Sequence, residues 1–451
     1  MFDALELAGA TRGTWNKIPS ENISGVETDT RKELAGKLFA ALRGERFDAH
    51  DFLDSAVAKG AVLCVNKERI NSVPAGAYAL VVDDTLAAYQ SIAKHYRSRQ
   101  TQLKLLAVTG SVGKTSVKEM LRAILCEFYG KDRVIATEGN TNNHIGVPQN
   151  LLRLNAGTSA AVIEMGTSSP GEIAVLSEMA VPDIALVNSI APCHLEKLID
   201  LAGVAREKGD IFKFLKSDGI AVLPGDIAET ALLKKSACGH RIVTFGDIVS
   251  NADVKSRFIS GGLEGSKFEL CIDSCNFEIS WSLTGRHQCR NAAAAAAAAW
   301  AAGIPAEIIA EGLKNTTLPG MRGKTVEYNG ATILNDAYNA SPASMEAVLK
   351  MFAEAEISGK CVLLLGTMLE LGCNSKSEHQ KILDLARDLF PAGTIITVGE
   401  GFEGFSGADR HFDKSADAAA LIASLCTPGT HIMVKGSRGT ALEKALPQEA
   451  L

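Results

Sequence analysis

Several absences narrow this chain before any motif is read. Positive charge is not in excess: Lys and Arg number 46 against 52 Asp and Glu, a formal net charge of −6. No broad basic face is therefore on hand for nonspecific nucleic-acid binding, and an anionic ligand must be met by a few local cations. The ten cysteines are scattered, with no CxxC, which excludes a zinc finger or ribbon and fits reduced, mostly buried thiols in a cytoplasmic protein. A signal peptide is also missing, because MFDALELAGATRG carries two acids before its first base and has no apolar h-region. The longest uncharged apolar run, Ala292 to Ala302, is about half of the ~20 residues a membrane span needs. Neither a tandem repeat nor a low-complexity tail interrupts the chain. A cytoplasmic monomer with no nucleic-acid partner and no membrane span is expected.

What is present argues for about three domains, since 451 residues exceed the ~150 of an ordinary one. Residues 1–85 hold short apolar runs such as LFAAL, AVLCV and YALVVDD between polar turns, which predicts a small α/β domain. From Leu103 the pattern becomes strand, Gly-rich loop, helix, repeated through LKLLAV, RVIAT, SAAVIEM and DIALVNSI. That alternation predicts a doubly wound, largely parallel sheet over a central domain, 86–316. FELCI and FEISW read as a hairpin before an alanine-rich helix, Asn291 to Ala302. NTTLPGMRGK, 315–324, is the expected hinge, and GKCVLLLG, GTIITVGE and HIMVKGS imply a third, Rossmann-like α/β domain over 317–451.

The most informative stretch is AVTGSVGKTSVKEM. An apolar strand precedes it, and the helix expected over Lys114 to Tyr129 aligns Val117, Met120, Leu121, Ile124 and Phe128 on one face. In such a strand-loop-helix the amides of Gly110, Ser111, Val112 and Gly113 and the helix N-terminus, roughly +0.5 charge, face an anion. Lys114 would reach the β- and γ-phosphates, with the Thr115 hydroxyl on magnesium and Ser116 beside it. The first glycine of the usual phosphate loop is absent, Val108 standing in its place and Gly110 giving the shorter TGSVGKT.

Polar clusters follow the other strands: TEGNTNNHIGVP, EMGTSSPGE with Glu164, APCHLEK with His194, and AREKGD with Lys208. Taken singly, Glu164 serves equally as a helix cap, His194 as a satisfied loop histidine, and Lys208 as a solvated helix residue. Together, a carboxylate and an imidazole near Thr115 suit hard divalent cations. GRHQCRN sets His287 and Asn291 four apart on one helical face, as ligands or as a cap and its partner. ILNDAYNASPASM places Asp336, Tyr338 and Asn339 just past a strand, and LLLGTMLELG and MVKGSRGTALEK repeat that arrangement. A second sheet with polar strand ends suggests a second substrate and a cleft that closes.

TGSVGKT, TEGNTNNHIGVP, EMG, APCHLE, GRHQCRN, NDAYNASPASM and LGTMLELG, in this order, resemble the Mur ligase family of ATP-dependent amino-acid and peptide ligases in peptidoglycan synthesis. TDTR at 28–31, FDAHDF at 47–52, NNHIGVP and NASPASM most resemble the branch that adds D-alanyl-D-alanine to UDP-N-acetylmuramoyl-tripeptide; the DNPR motif of the preceding ligase is not found. The resemblance implies ATP as cosubstrate, two magnesium ions, and an acyl-phosphate intermediate. It implies that Lys114 and the loop amides hold phosphates, Thr115 and Glu164 one metal, and His194 a second, with Lys208 as a carbamate. Asn291, His287, Asp336, Tyr338 and Asn339 would face the nucleotide, and Arg322 the transferring phosphoryl group. Thr28, Asp29, Thr30, Arg31, Asp48 and His50 would contact the UDP-sugar, and Asn140, Asn142 and Asn143 the substrate side of the central domain. Two positions depart from the pattern: Thr367 where aspartate is frequent, and Ala49 where glycine is. The rival expectations are a folate polyglutamylating ligase, which normally lacks a domain like residues 1–85, and a P-loop ATPase or GTPase switch, which leaves the third domain's motifs unexplained.

Overall fold

The computed structural model describes residues 1–45, 47–355 and 357–450. Three sheets divide them, each drawn from one stretch of sequence. The first runs in the order Thr14–Trp15, Ala79–Val82, Val62–Asn66, Leu38–Ala40, Val26–Glu27, with only the first pair antiparallel. The second has nine strands: Cys275–Trp281, Ser266–Ile272, Val254–Gly261, Arg241–Asp247, Ile220–Pro224, Ile184–Val187, Lys104–Thr109, Ala160–Glu164 and Val134–Ala136. It is parallel except where the expected hairpin, 266–281, folds back and pairs antiparallel with its neighbour. The third, six-stranded sheet runs Lys324–Tyr328, Ala331–Asn335, Thr430–Lys435, Lys360–Gly366, Thr394–Val398, Arg410–Phe412, parallel but for its first pair.

Strand Lys104–Thr109 shows why the central sheet is covered on both sides. Leu105 and Ala107 join an apolar cluster with Leu151, Leu176 and Ala205, whereas Leu106 and Val108 join one with Val117, Met120 and Ala292–Ala299. Alternate side chains thus enter opposite layers, and the strand is apolar throughout. The alanine-rich helix spans Arg286–Ala301 and starts earlier than its composition suggested, so His287 and Asn291 both lie within its first turns. Its residues 292–299 are wholly buried; methyl-sized side chains let it lie close to the sheet and to helix Lys114–Tyr129 at once.

Two expectations are corrected. Phe128 does not share the packed face of helix Lys114–Tyr129: it is 44% exposed and meets only the edge of Tyr129 among aromatic rings. Leu125 takes the buried position instead, because the stripe that meets the sheet ends a turn before the helix does. Nor are the thiols mostly buried: all ten are free, but only Cys64, Cys289 and Cys426 are buried, and Cys238 and Cys373 are exposed.

Helix Thr85–Ser98 joins the first sheet to the second. Ile92 and Ala93 belong to one cluster that holds Leu38 and Leu80 on the N-terminal side and Leu151 and Leu176 on the central side. Residues 315–323 form the irregular connection to the third sheet.

Candidate active site

From strand Lys104–Thr109 the chain first builds the neighbours on one side, Val134–Ala136 and Ala160–Glu164, and then crosses to Ile184–Val187 on the other. A crevice opens where the direction reverses, and ligands of such sheets gather there at the strands' carboxyl ends. The loop 110–113 occupies it. Gly113 has φ 79°, and a Cβ there would stand 2.5 Å from Asn291 Oδ1 and 2.6 Å from Asn188 Nδ2, so only glycine fits. The loop is braced from the adjacent strand end: Ser111 Oγ donates to the Ala191 carbonyl (2.9 Å), and the Val112 amide donates to Ser189 Oγ (2.9 Å). Asn188 Nδ2 donates to the Val112 carbonyl and to Asn291 Oδ1, both at 2.9 Å, tying the loop to the alanine-rich helix. Helix Lys114–Tyr129 starts directly after Gly113, so its free amides point into the crevice. The Lys114 ammonium donates to the Gly110 carbonyl at 2.8 Å, while Thr115 and Ser116 are buried at the helix start.

Around this loop stand the residues from the other strand ends. Glu164 closes strand Ala160–Glu164 and is 1% exposed. Its Oε1 accepts from Asn142 Nδ2 at 2.9 Å, whereas Oε2 is buried with no hydrogen-bond partner. Lys208, on helix Leu201–Gly209, is not solvated: it is 1% exposed. Burial, aided by the nearby Lys114 charge, pushes its ammonium down to about 8. The segment carrying His194 lies on the loop, since Cys193 Sγ is 3.2 Å from Ser111 Oγ. His194 itself pairs through Nδ1 with Glu370 Oε2 at 2.9 Å, a contact that crosses from the central to the third sheet. That imidazole holds the Glu370 carboxyl below the ordinary carboxylate range.

The third sheet supplies the opposite wall. Arg322 Nη2 is 3.2 Å from Thr115 Oγ1, and its guanidinium lies 3.6 Å over the Tyr338 ring. The Lys435 ammonium, almost fully buried, donates to Asp336 Oδ2 (2.6 Å) and the Asn339 carbonyl (3.0 Å). His287, Gln288, Arg322, Asp336 and Met351 line one small cavity between the two sheets. Burial pushes the His287 imidazole down to about 4, so it is neutral at pH 7.

The chain as a whole is similar to known proteins. Family models match three consecutive stretches: "Mur ligase family, catalytic domain" over 22–97, "Mur ligase middle domain" over 108–299, and "Mur ligase, glutamate ligase domain" over 321–446. The UDP-N-acetylmuramoyl-tripeptide–D-alanyl-D-alanine ligase of Escherichia coli (strain K12) is 37% identical over 433 residues, covering 94% of this chain and 93% of that one. This chain belongs to the Mur ligase family. Among solved structures, MurF from Acinetobacter baumannii superposes with a TM-score of 0.89 at 32% identity, covering 98% of this chain and 97% of that one. The MurF ligase from Thermotoga maritima, in complex with ADP, gives 0.83 at 25% identity, covering 94% and 96%.

In this Mur ligase the remaining sequence-chosen residues fall into two groups. Asn140, Asn142 and Asn143 form the loop next to Glu164, where Asn143 Oδ1 accepts from the Ile145 (3.1 Å) and Gly146 (2.9 Å) amides just ahead of a short helix. In the N-terminal sheet, Asp29 and Arg31 form a bidentate pair that holds the Asp29 carboxyl down to about 2. Thr28 is held beside them, its amide donating to Glu27 Oε1, and the Thr30 carbonyl accepts from Lys59. His50 lies beside Asp48. Its Nδ1–H donates to Asp48 Oδ1 (2.6 Å) and its Nε2 accepts from the Asn66 amide (3.0 Å), leaving neither nitrogen free. The ring fixes the loop that carries Asp48. Sequence reasoning passed over Asn188, Gln288, Lys435 and Glu370; a polar residue directly after ALV, after MV or within LELG was the available signal. Thr367, the departure noted above, bridges strand ends by accepting from the Gly401 amide at 3.0 Å.

Proposed function

We infer that this Mur ligase adds D-alanyl-D-alanine to UDP-N-acetylmuramoyl-tripeptide with cleavage of ATP to ADP and phosphate, yielding the UDP-linked pentapeptide precursor of peptidoglycan. The observation that carries the reading is the approach of Arg322 to Thr115: a cation from the connection that leads into the third sheet reaches the threonine at the start of helix Lys114–Tyr129. Such a wall suits a phosphoryl group passed to an acceptor lying between sheets.

The reaction starts with repulsion. A peptide carboxylate must attack the γ-phosphorus of ATP, and at about 3.5 Å each pair of unit charges repels by roughly 5 kcal/mol at an effective dielectric of 20. Lys114, the loop amides and Arg322 offset this repulsion. The carboxylate oxygen bonds to phosphorus as the bond to the β-phosphate oxygen breaks, giving an acyl phosphate and ADP. The D-alanyl-D-alanine amine then attacks the acyl carbon, loses a proton, and expels inorganic phosphate. Water would intercept the acyl phosphate, so the cleft must close around it.

Magnesium fits the residues present. Glu164 offers a buried oxygen with no partner, and it pairs with Val108 in the strand that leads through the loop to the helix carrying Thr115. No cluster of three or more His, Cys, Asp or Glu exists among the described residues, as suits an ion that takes most of its ligands from phosphate and water. Bound there, the metal would neutralise charge on the β- and γ-phosphates. Thr115 and Glu164 would hold one ion, with His194 and Lys208 supporting a second. Lys208 fits a carbamate: a buried amine held near neutrality attacks carbon dioxide, forms an N–C bond, releases a proton and becomes an anion.

His287, Asn291, Asp336, Tyr338 and Asn339 are assigned to the nucleotide; Thr28 to Arg31, Asp48 and His50 to the UDP-sugar; and the Asn140–Asn143 loop to the peptide. The three units are taken as 1–85, 86–316 and 317–451, a division supported by one sheet in each. No helix among the described residues is long and apolar enough to cross a membrane, and a cytoplasmic monomer is proposed, the site being assembled from a single chain. The test is steady-state phosphate release: it should require both UDP-muramoyl-tripeptide and D-alanyl-D-alanine. An unchanged rate without the dipeptide would remove the ligase reading.

A further inference from the structure

The loop 367–372 has no part in the chemistry above, yet it reaches the active site. It leaves strand Lys360–Gly366 of the third sheet and sends Glu370 to His194, at Nδ1–Oε2 2.9 Å. The approach involves more than one side chain: a Cβ at Gly372 would lie 3.4 Å from Glu196 Cβ, so the turn rests on the short helix Leu195–Leu198 that His194 begins. Both partners also hold unusual backbones. His194 has φ 51° and Glu370 has φ 66°, in the left-handed region where residues with a Cβ are uncommon. Strain of this kind persists only where the surroundings impose it, and it concentrates at functional sites. The Glu370 side chain is 67% exposed, and a polar contact so open to solvent does little for folding.

The geometry also fixes a tautomer. A carboxylate only accepts, so Nδ1 carries the hydrogen and the lone pair of a neutral His194 is left on Nε2. His194 sits one residue from Cys193, which touches Ser111 of the phosphate loop. Glu370 comes from the other domain, so the arrangement exists only while the third sheet is seated on the second. We propose that Glu370 is a positioning residue: it sets the ring orientation and tautomer of His194 when the domains close, so that phosphoryl transfer is enabled only in the closed cleft. This rests on the ligase reading above, which it deepens by making one side chain report closure to the reaction centre.

The test combines kinetics with a measurement that needs no turnover. In full-length protein free of metal and nucleotide, with imidazole nitrogens labelled with nitrogen-15, the resonance missing from His194→Ala identifies His194 among the nine histidines. The wild type should show the Nδ1–H tautomer, and Glu370→Ala, which removes the acceptor, should shift the ring toward Nε2–H. In the ligase assay, Glu370→Ala should lower kcat between about 10- and 100-fold, the range seen when the partner of a metal-site histidine is removed. The dissociation constant for the UDP-tripeptide should stay within about twofold, and Glu370→Asp should recover part of kcat. In a His194→Ala background, Glu370→Ala should cost less than about twofold more, because the two act as one unit. Losses that multiply, or a rise confined to the KM for D-alanyl-D-alanine, would overturn the proposal and make Glu370 an acceptor-binding residue. An unchanged tautomer in Glu370→Ala would overturn it independently of whether the chain proves to be a ligase.

Discussion

Lys208 shows how far one side chain can depart from the impression its neighbours give. AREKGD reads as a solvated helix end, and Arg206 is indeed exposed, but Lys208 two positions on is sealed inside. An isolated ammonium loses most of its hydration there, and the Lys114 charge adds to the penalty, so its proton is released near pH 8 instead of near 10.5. Below that point the side chain is mostly the inert cation; as pH rises through 8 the reactive amine becomes the main form. Carbon-13 bicarbonate should therefore give a carbamate carbonyl resonance in the wild type that strengthens from pH 7 to 8.5 and is missing in Lys208→Arg. Identical spectra from the two proteins would remove the modification. Lys114 is the other decisive cation. Lys114→Ala should reduce turnover by at least about 100-fold, the scale of losing one preorganised charge at a transition state, while calorimetry shows UDP-substrate binding largely retained. Equal loss of both in a folded variant would contradict the separation of sites.

At the scale of elements, two features carry the site: the loop 110–113 and the alanine-rich helix beside it. Helix Arg286–Ala301 delivers Asn291 to within contact of the glycine at 113, a spacing that tolerates no larger core residue along 292–299. Ala296→Leu should destabilise the protein by about 1–3 kcal/mol through overpacking, read as a lower urea midpoint, with a raised KM for ATP as Asn291 is displaced. An unchanged midpoint would mean that the layer has slack. The strand-loop-helix around Lys114 and the 266–281 hairpin were legible because local signals fix them: glycines at the turn, an amphipathic face, two alternating runs. Contacts made across domains were not. Nothing local to LELG announces that Glu370 meets His194, and nothing in FDAH says that the Asn66 amide occupies the second nitrogen of His50. Burial of Lys208 and pairing of Lys435 with Asp336 depend likewise on which strands become neighbours.

The whole molecule is three sheets around one crevice. The first shares an apolar core with the second through helix Thr85–Ser98, whereas the third meets the second both through polar contacts, Arg322 to Thr115 and Glu370 to His194, and through Leu263, which packs on the third sheet's apolar cluster. An apolar seam resists opening, and a polar one is readily exchanged with water. Movement of the third domain about residues 315–323 is accordingly proposed, as an enzyme must open to admit its acceptor yet exclude water once an acyl phosphate has formed. The account stands or falls on that intermediate. Oxygen-18 placed in the terminal carboxyl of the tripeptide should appear in the liberated phosphate, one labelled atom for each amide bond formed, because the oxygen that attacks phosphorus leaves with it. Amide product accompanied by phosphate free of label would contradict the mechanism at its first step.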